Sequence, residues 1–582
     1  MRKWMSLVTV AALIFGLLTG CGGDSGAAKS TEASPSDAAS NSETVQEQNA
    51  VEQITEPTEQ PEAASSIEES ATPERPMISY PLEGDQLTLT AWTAFQSQTG
   101  MVEGYTDWPV VQALQEKTGV NVEWTNVAQN AAGDQFMLMI SGGDYADIIR
   151  NLPRYYSGGV TQAYHDDIIL ELNDLIDQQM PDYAEELYAD DTNRINVTND
   201  SGQMLYISII YDEDNIGNGW TIRKDYLDAL KLEVPTNLEE LEETLIAMKN
   251  AYGGTSPVLM NSGNYANLLS TSFGVTGYDP MDGNAIFYQE NGTVKCSLLQ
   301  DGYREYLDTM NRWLQEGLIS TDFMTMTSNP RDPATALLIS DGNALFFSSG
   351  VNQWDSYKSA AENADFELTA VPMLPKSAGE KLHFPSNSTR VSSNGAWTIS
   401  STCADPELAA HFLNYFYTDD GANLVNYGIL GESYEMVDGK PTWKQEELQK
   451  LADEYGIGIT SVAQGYYGIV GDLTGTRFVS QLNQFYPESY LSAFDVWADT
   501  SMIDGNYNLP GTFISFTSEE TEQISAAMSD LSTYFAEHIA KFISGEENVN
   551  DQWADFTETL KSMGIEDVTA VYQAAYERYL MR

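Results

Sequence analysis

The residues of this chain best suited to chemistry are aromatic rings set beside arginines and amides. Trp92 and Phe95 follow a first strand-like stretch, and Arg150, Asn151, Arg154 and Tyr155 follow a third. Trp220 and Arg223 stand where the chain is expected to cross from one lobe to another. Asn352 and Trp354 follow a later strand, with Trp397 and Tyr434 beyond it. A ring packs on the C–H face of a pyranose while Arg and Asn donate to its hydroxyl rim, so the set suits a sugar-like ligand. Each ring also has a competing structural role: with 20 Phe, 11 Trp and 32 Tyr, most rings must be core. Asp147 and Asp225 read as strand-end or capping residues.

Catalytic patterns are missing from the sequence. The four histidines, His165, His383, His411 and His538, show no His-Glu-x-x-His spacing, and there is no Gly-x-Ser-x-Gly elbow or phosphate loop. The reading is therefore not an enzyme, with a secreted glycoside hydrolase using two carboxylates as the alternative. One further residue invites chemistry. Leu18-Thr19-Gly20-Cys21 follows Arg2, Lys3 and an apolar run at residues 7–18, the layout of a lipoprotein leader. That run is short of the roughly 20 residues needed to span a bilayer, so cleavage before Cys21 and lipid on its thiol are expected.

The elements that must position these groups begin after a tether. Residues 22 to about 80 are rich in Ser, Ala, Glu, Thr and Pro and cannot bury enough apolar surface to order. Beyond them, Leu87–Trp92 alternates as a strand, and a helix follows with Asp107 as N-cap, Pro109 in its first turn and Gly119 as its stop. Val120–Trp124, a helix at residues 134–140 and a strand at residues 145–149 complete a βαβαβ rhythm, which argues for a parallel sheet with both faces covered. A strand at residues 204–210 leads to the first crossing, near 210–222. Thr236 and Glu239 have capping-box spacing ahead of the stripe Leu238, Leu241, Leu245 and Met248. Helices are expected at residues 306–314 and 334–339, strands at 344–347 and 368–371, a return crossing at 392–400, and helices at 524–542 and 568–580.

Composition narrows the partners. Against 28 basic residues stand 86 acidic ones, a net charge of −58. That field repels a phosphate backbone and an anionic membrane surface, so nucleic acid is excluded and any membrane contact is through lipid on Cys21. Cys296 and Cys403 remain, either as one disulfide or as two buried thiols.

At several places the chain resembles the extracellular solute-binding proteins of bacterial ABC importers, in the large lipoprotein branch associated with oligosaccharides in Gram-positive bacteria. The carriers are residues 114–120 (Leu-Gln-Glu-Lys-Thr-Gly-Val), 141–149 (Ser-Gly-Gly-Asp-Tyr-Ala-Asp-Ile-Ile), 222–228 (Ile-Arg-Lys-Asp-Tyr-Leu-Asp), 426–434 and 572–579. The resemblance implies a periplasmic-binding-protein type II fold, with two α/β lobes and a ligand cleft at the hinge. It assigns residues 81–210 with about 395–435 to lobe 1, and 211–394 with about 436–582 to lobe 2. It also implies an oligosaccharide ligand, two permease subunits with a separate ATPase, and a monomer without cofactor. A peptide or other solute, or a role as the ligand-sensing partner of a surface signalling system, are the alternatives. Some relatives carry a calcium loop after the helix that here ends in Ala251-Tyr252-Gly253-Gly254-Thr255-Ser256-Pro257. The acidic ligands are missing there, so no metal is expected.

Overall fold

The computed structural model describes residues 77–95, 101–128, 131–156, 158–214, 216–279, 285–327, 332–385, 390–468 and 475–582. The expected leader, Cys21 and nearly all of the tether lie outside the described residues, as does the side chain of Phe95.

Strands β1 (Thr88–Phe95), β2 (Asn121–Ala128) and β3 (Ile148–Arg150) alternate with the helices Pro109–Thr118 and Ala132–Gly142. β1 pairs in parallel with both neighbours. Asp107 does not cap the first helix. Pro109 holds the residue before it extended, so Trp108 (ψ 118°) takes the N-cap and Asp107 falls in a preceding 3-10 turn. At the other end Gly119 takes the left-handed conformation (φ 77°), and its N–H closes the last turn on Gln115.

β4 (Ile207–Tyr211) joins the same sheet, after which the chain leaves it. β5 (Asn218–Arg223) opens a second sheet; β6 (Phe287–Glu290) and β7 (Thr293–Cys296) form a hairpin; β8 (Phe346–Gly350) and β9 (Leu368–Val371) flank β5 antiparallel. β10 (Val391–Ile399) returns to the first sheet between β3 and β4. A second hairpin, β11 (Tyr434–Val437) and β12 (Lys440–Trp443), precedes β13 (Thr476–Arg477). The first sheet has the order β13-β4-β10-β3-β1-β2 and the second β8-β5-β9.

Each sheet has its own core. Leu89, Trp108, Leu114, Ile148, Trp397 and Phe416 belong to one cluster; Ile222, Leu241, Trp313, Phe346, Phe535 and Leu560 to the other. Cys403 lies in the first and Cys296 in the second, both free, with burial pushing each thiol up to about 12. The disulfide alternative is thereby removed.

The C-terminal allocation needs correction. Residues 436–485 were expected in lobe 2, yet β13 lies parallel to β4, and Trp443, Leu448 and Leu482 pack with Tyr427 and Tyr434. Asn426 ties this segment in, donating from Nδ2 to Thr476 O at 2.7 Å and accepting from the Phe478 N–H at 3.1 Å. Packing passes to the second lobe only with the helix Glu488–Ala498, whose Tyr490, Ala493 and Trp497 join Phe347 and Trp354. A smaller shift affects the helix Leu238–Tyr252: its N-cap is Asn237, which accepts from the Glu240 N–H, while Thr236 donates to the Glu240 carboxylate.

Candidate functional site in the interlobe cleft

Three segments connect the lobes, and they bond to one another. Arg390 Nε donates to Tyr211 O at 3.1 Å, its Nη2 donates to Asp212 O, and Asp212 Oδ1 accepts from the Val479 N–H at 2.9 Å. Beside them the half-buried Glu186 accepts from Thr476 Oγ1 at 2.7 Å on both oxygens. Burial pushes its carboxyl up to about 7, against the opposing pull of Thr476 and Arg390.

Away from the crossings, the lobes meet at the helix Gly159–His165 and the long helix Ser518–Ser544. Gly158 (φ 82°) makes the turn into the first of these; a Cβ there would come within 2.7 Å of Gln162 Cβ. Gln162 Oε1 in turn accepts from Ser518 Oγ at 2.7 Å. The second helix starts with a full capping box between Thr517 and Glu520. Burial would raise the Glu520 carboxyl, but bonds from Arg578 and Thr517 outweigh it and hold the group below its usual range.

Arg578 and Arg582, one turn apart near the chain end, tie the lobes together. Arg578 Nε donates to Asp200 Oδ2 at 2.7 Å, while its Nη1 and Nη2 reach Glu520 at 2.9 and 2.6 Å. Arg582 donates to Asp200 Oδ1 from Nε at 3.0 Å and from Nη2 at 2.5 Å.

Between these contacts lies an open pocket of about 450 Å³. Gly158, Gln162, His165 and Asn199–Ser201 of lobe 1 line one wall; Ser515–Ser518, Thr521 and Glu522 of lobe 2 line the other. A second pocket, about 480 Å³, shares Phe516 with the first and continues into lobe 2 past Asn267, Thr271, Phe384, Asn508 and Tyr572. Amides and hydroxyls that can both donate and accept thus alternate with aromatic carbon.

Among the described residues, none of those chosen from the sequence lines either pocket. Arg223 is fully buried, bidentate on Asp225 at 2.9 and 2.7 Å, bonded to Ile339 O at 2.9 Å and sandwiched between Tyr226 and Phe366. Each nitrogen of that fork already donates within the protein, and none of it is exposed. Trp354 is buried with its Nε1 on Ser349 Oγ at 3.0 Å, edge-on to Tyr490 and Trp497. Trp92 packs on Phe136 and Tyr155, Trp397 against Trp124, and Tyr434 against Tyr427, all inside cores. These five side chains are packed in the interior, away from both pockets. Arg150 is also buried, beside the β10 bulge where the Asn151 side chain accepts from the Gly395 N–H. Arg154 and Asn352 remain exposed, and Asn151, Tyr155 and Trp220 half-buried. Trp220 stacks on Phe346 at 5.2 Å. Among the missed residues only Thr517 and Glu520 carried a readable signal, the capping-box spacing; Gln162, Asp200 and Phe516 carried none.

A family model described as bacterial extracellular solute-binding protein matches residues 110–450. The fructooligosaccharide ABC transporter substrate-binding protein FusA of Streptococcus pneumoniae is 24% identical over 508 residues, covering 81% of this chain and 87% of that protein. The lipoprotein LipO of Bacillus subtilis is 24% identical over 370 residues, 60% of this chain and 68% of LipO. Among solved structures, the alginate-binding protein AlgQ2 superposes with a TM-score of 0.65 at 20% identity, covering 85% of this chain and 99% of that one. That likeness is one of fold, the type II periplasmic-binding architecture.

Proposed function

This chain belongs to the bacterial extracellular solute-binding protein family, and on that premise we propose that it captures an oligosaccharide between its lobes and delivers it to an ABC permease. The family is one of extracytoplasmic binding proteins, not enzymes. The observation that carries the proposal is the pocket walled by both lobes, which Gln162, Ser515, Thr517 and Thr521 line together with the half-buried ring of Phe516. Amides and hydroxyls match a hydroxyl rim, and the ring matches a C–H face. Fructooligosaccharide recognition by the relative FusA supports the same ligand class.

In this reading the ligand favours the closed arrangement because only closure brings both walls onto it. The bonded crossings at Tyr211, Asp212, Arg390 and Val479 serve as the hinge. Lipid on Cys21 holds the protein on the outer face of the membrane, where two permease subunits and a separate ATPase complete the importer. Similarity to the lipoprotein LipO supports the anchor. Calorimetric titration of the full chain against fructooligosaccharides, other neutral oligosaccharides and a peptide mixture tests the ligand class. Saturable saccharide binding with compaction in small-angle scattering is expected; binding of peptides alone sinks the proposal. A Cys21→Ser form should bind ligand normally and be shed into the medium, and its retention on cells would contradict the anchor.

A further inference from the structure

We infer that the cleft selects uncharged saccharides and rejects acidic ones such as uronate chains. The inference rests on the saccharide reading above and narrows it to a charge class.

The lining carries the argument. Among the described residues, the pocket that continues into lobe 2 is lined by no Lys, Arg, His, Asp or Glu side chain. Among the described residues, the pocket shared by both lobes has His165, Asp200 and Glu522 as its ionisable groups, and neither Lys nor Arg. A ligand carboxylate removed from water requires a cationic partner, best an arginine fork. Two such forks stand against this wall, but all except one of their N–H donors are taken. Arg578 holds Asp200, Glu520 and Ser515 O; Arg582 holds Asp200, Phe513 O and Ser515 Oγ. Arg150 and Arg154 line neither pocket.

What the walls do offer is suited to hydroxyls. Asn267, Thr271 and Asn508 in one pocket, and Thr161, Gln162 and Thr521 in the other, carry amides and hydroxyls that can each donate and accept. Glu522, exposed on the first turns of the long helix, accepts from a hydroxyl but repels a carboxylate. The net charge of −58 adds a long-range field of the same sign. The fold does not dictate this preference, because it is shared with a protein described as alginate-binding. The difference must lie in the lining residues.

The test uses matched ligands. The full chain is titrated calorimetrically with a panel of neutral oligosaccharides that includes kestose. The tightest binder is then compared with its own counterpart in which one primary hydroxyl has been oxidised to a carboxylate. The acid is expected to bind at least about tenfold more weakly at about 0.02 M salt, with a smaller gap at about 0.5 M as the field is screened. Glu522→Lys should narrow the ratio between the two ligands. Equal or tighter binding of the acid overturns the inference and leaves saccharide capture standing; silence toward every saccharide overturns both. An unchanged ratio in Glu522→Lys, with the same ratio at both salt concentrations, also contradicts it.

Discussion

Arg223 and Arg578 make nearly the same bonds in two regions that differ in everything else. Both hold a carboxylate through two nitrogens and both reach a backbone carbonyl. Arg223 does so inside lobe 2, without exposure and between two rings, whereas Arg578 does so at the lobe boundary, with its Nε on Asp200 of the other lobe and 28% of its side chain exposed. The same contrast separates Trp354, sealed behind β8, from Phe516, half-exposed in the cleft. Residue type therefore says little about availability; what matters is how much hydrogen-bonding capacity and ring surface the protein leaves uncovered.

The strongest test of that contrast is Arg223→Met, which strands Asp225 in the interior. Urea unfolding should show a loss of about 3–5 kcal/mol. A loss below about 1 kcal/mol accompanied by weaker ligand binding would return Arg223 to the cleft.

Glu186 sharpens the comparison from the hinge side. Its folded pKa of about 7 lies above the ordinary carboxylate value of 4.5. The native state therefore binds the proton more tightly than the unfolded chain, so this group's contribution is full below pH 4.5 and is lost as pH rises through 7. The loss is on the order of 3 kcal/mol. Glu186→Gln should flatten stability across that window in unfolding measured at a series of pH values; an unchanged pH slope contradicts the assignment.

The interlobe tie should matter less to stability, since Asp200 and Arg578 keep 20% and 28% of their side chains exposed. Asp200→Asn is expected to cost about 1 kcal/mol, less in high salt, and to broaden the distribution of interlobe distances in small-angle scattering. An unaltered scattering profile would make the arginine pair a surface ornament. The smallest stability effect belongs to Gln162→Ala, within about 0.5 kcal/mol of the parent, yet saccharide affinity should fall about threefold to tenfold with the lost bond. The reverse pattern, lower stability with unchanged affinity, would move Gln162 out of the site.

The sequence exposed the architecture better than the site, for a physical reason. Alternation in β2 and the stripe Leu238, Leu241, Leu245 and Met248 encode burial on one face, which periodicity reports directly, and Gly119 marks a helix stop through its backbone conformation. β13 has two residues, too few for any period, so its return to the first sheet stayed hidden and with it the allegiance of residues 436–485. At strand ends, Trp and Arg are equally suited to a core and to a ligand; Arg223 and Trp354 became core because partners distant in the chain, Ile339 and Tyr490, closed over them. The cleft itself is assembled from residues near 160, 200, 270, 385 and 515, whose proximity no local pattern records.

The most direct test of the central claim, that the interlobe pocket takes the saccharide, is amide hydrogen exchange on the full chain with and without a saturating neutral oligosaccharide identified by calorimetry. Protection is predicted together in residues 158–165 and 515–522, one segment from each lobe. Protection confined to the strand-end residues 150–155 and 350–354, with residues 158–165 and 515–522 unchanged, would contradict it.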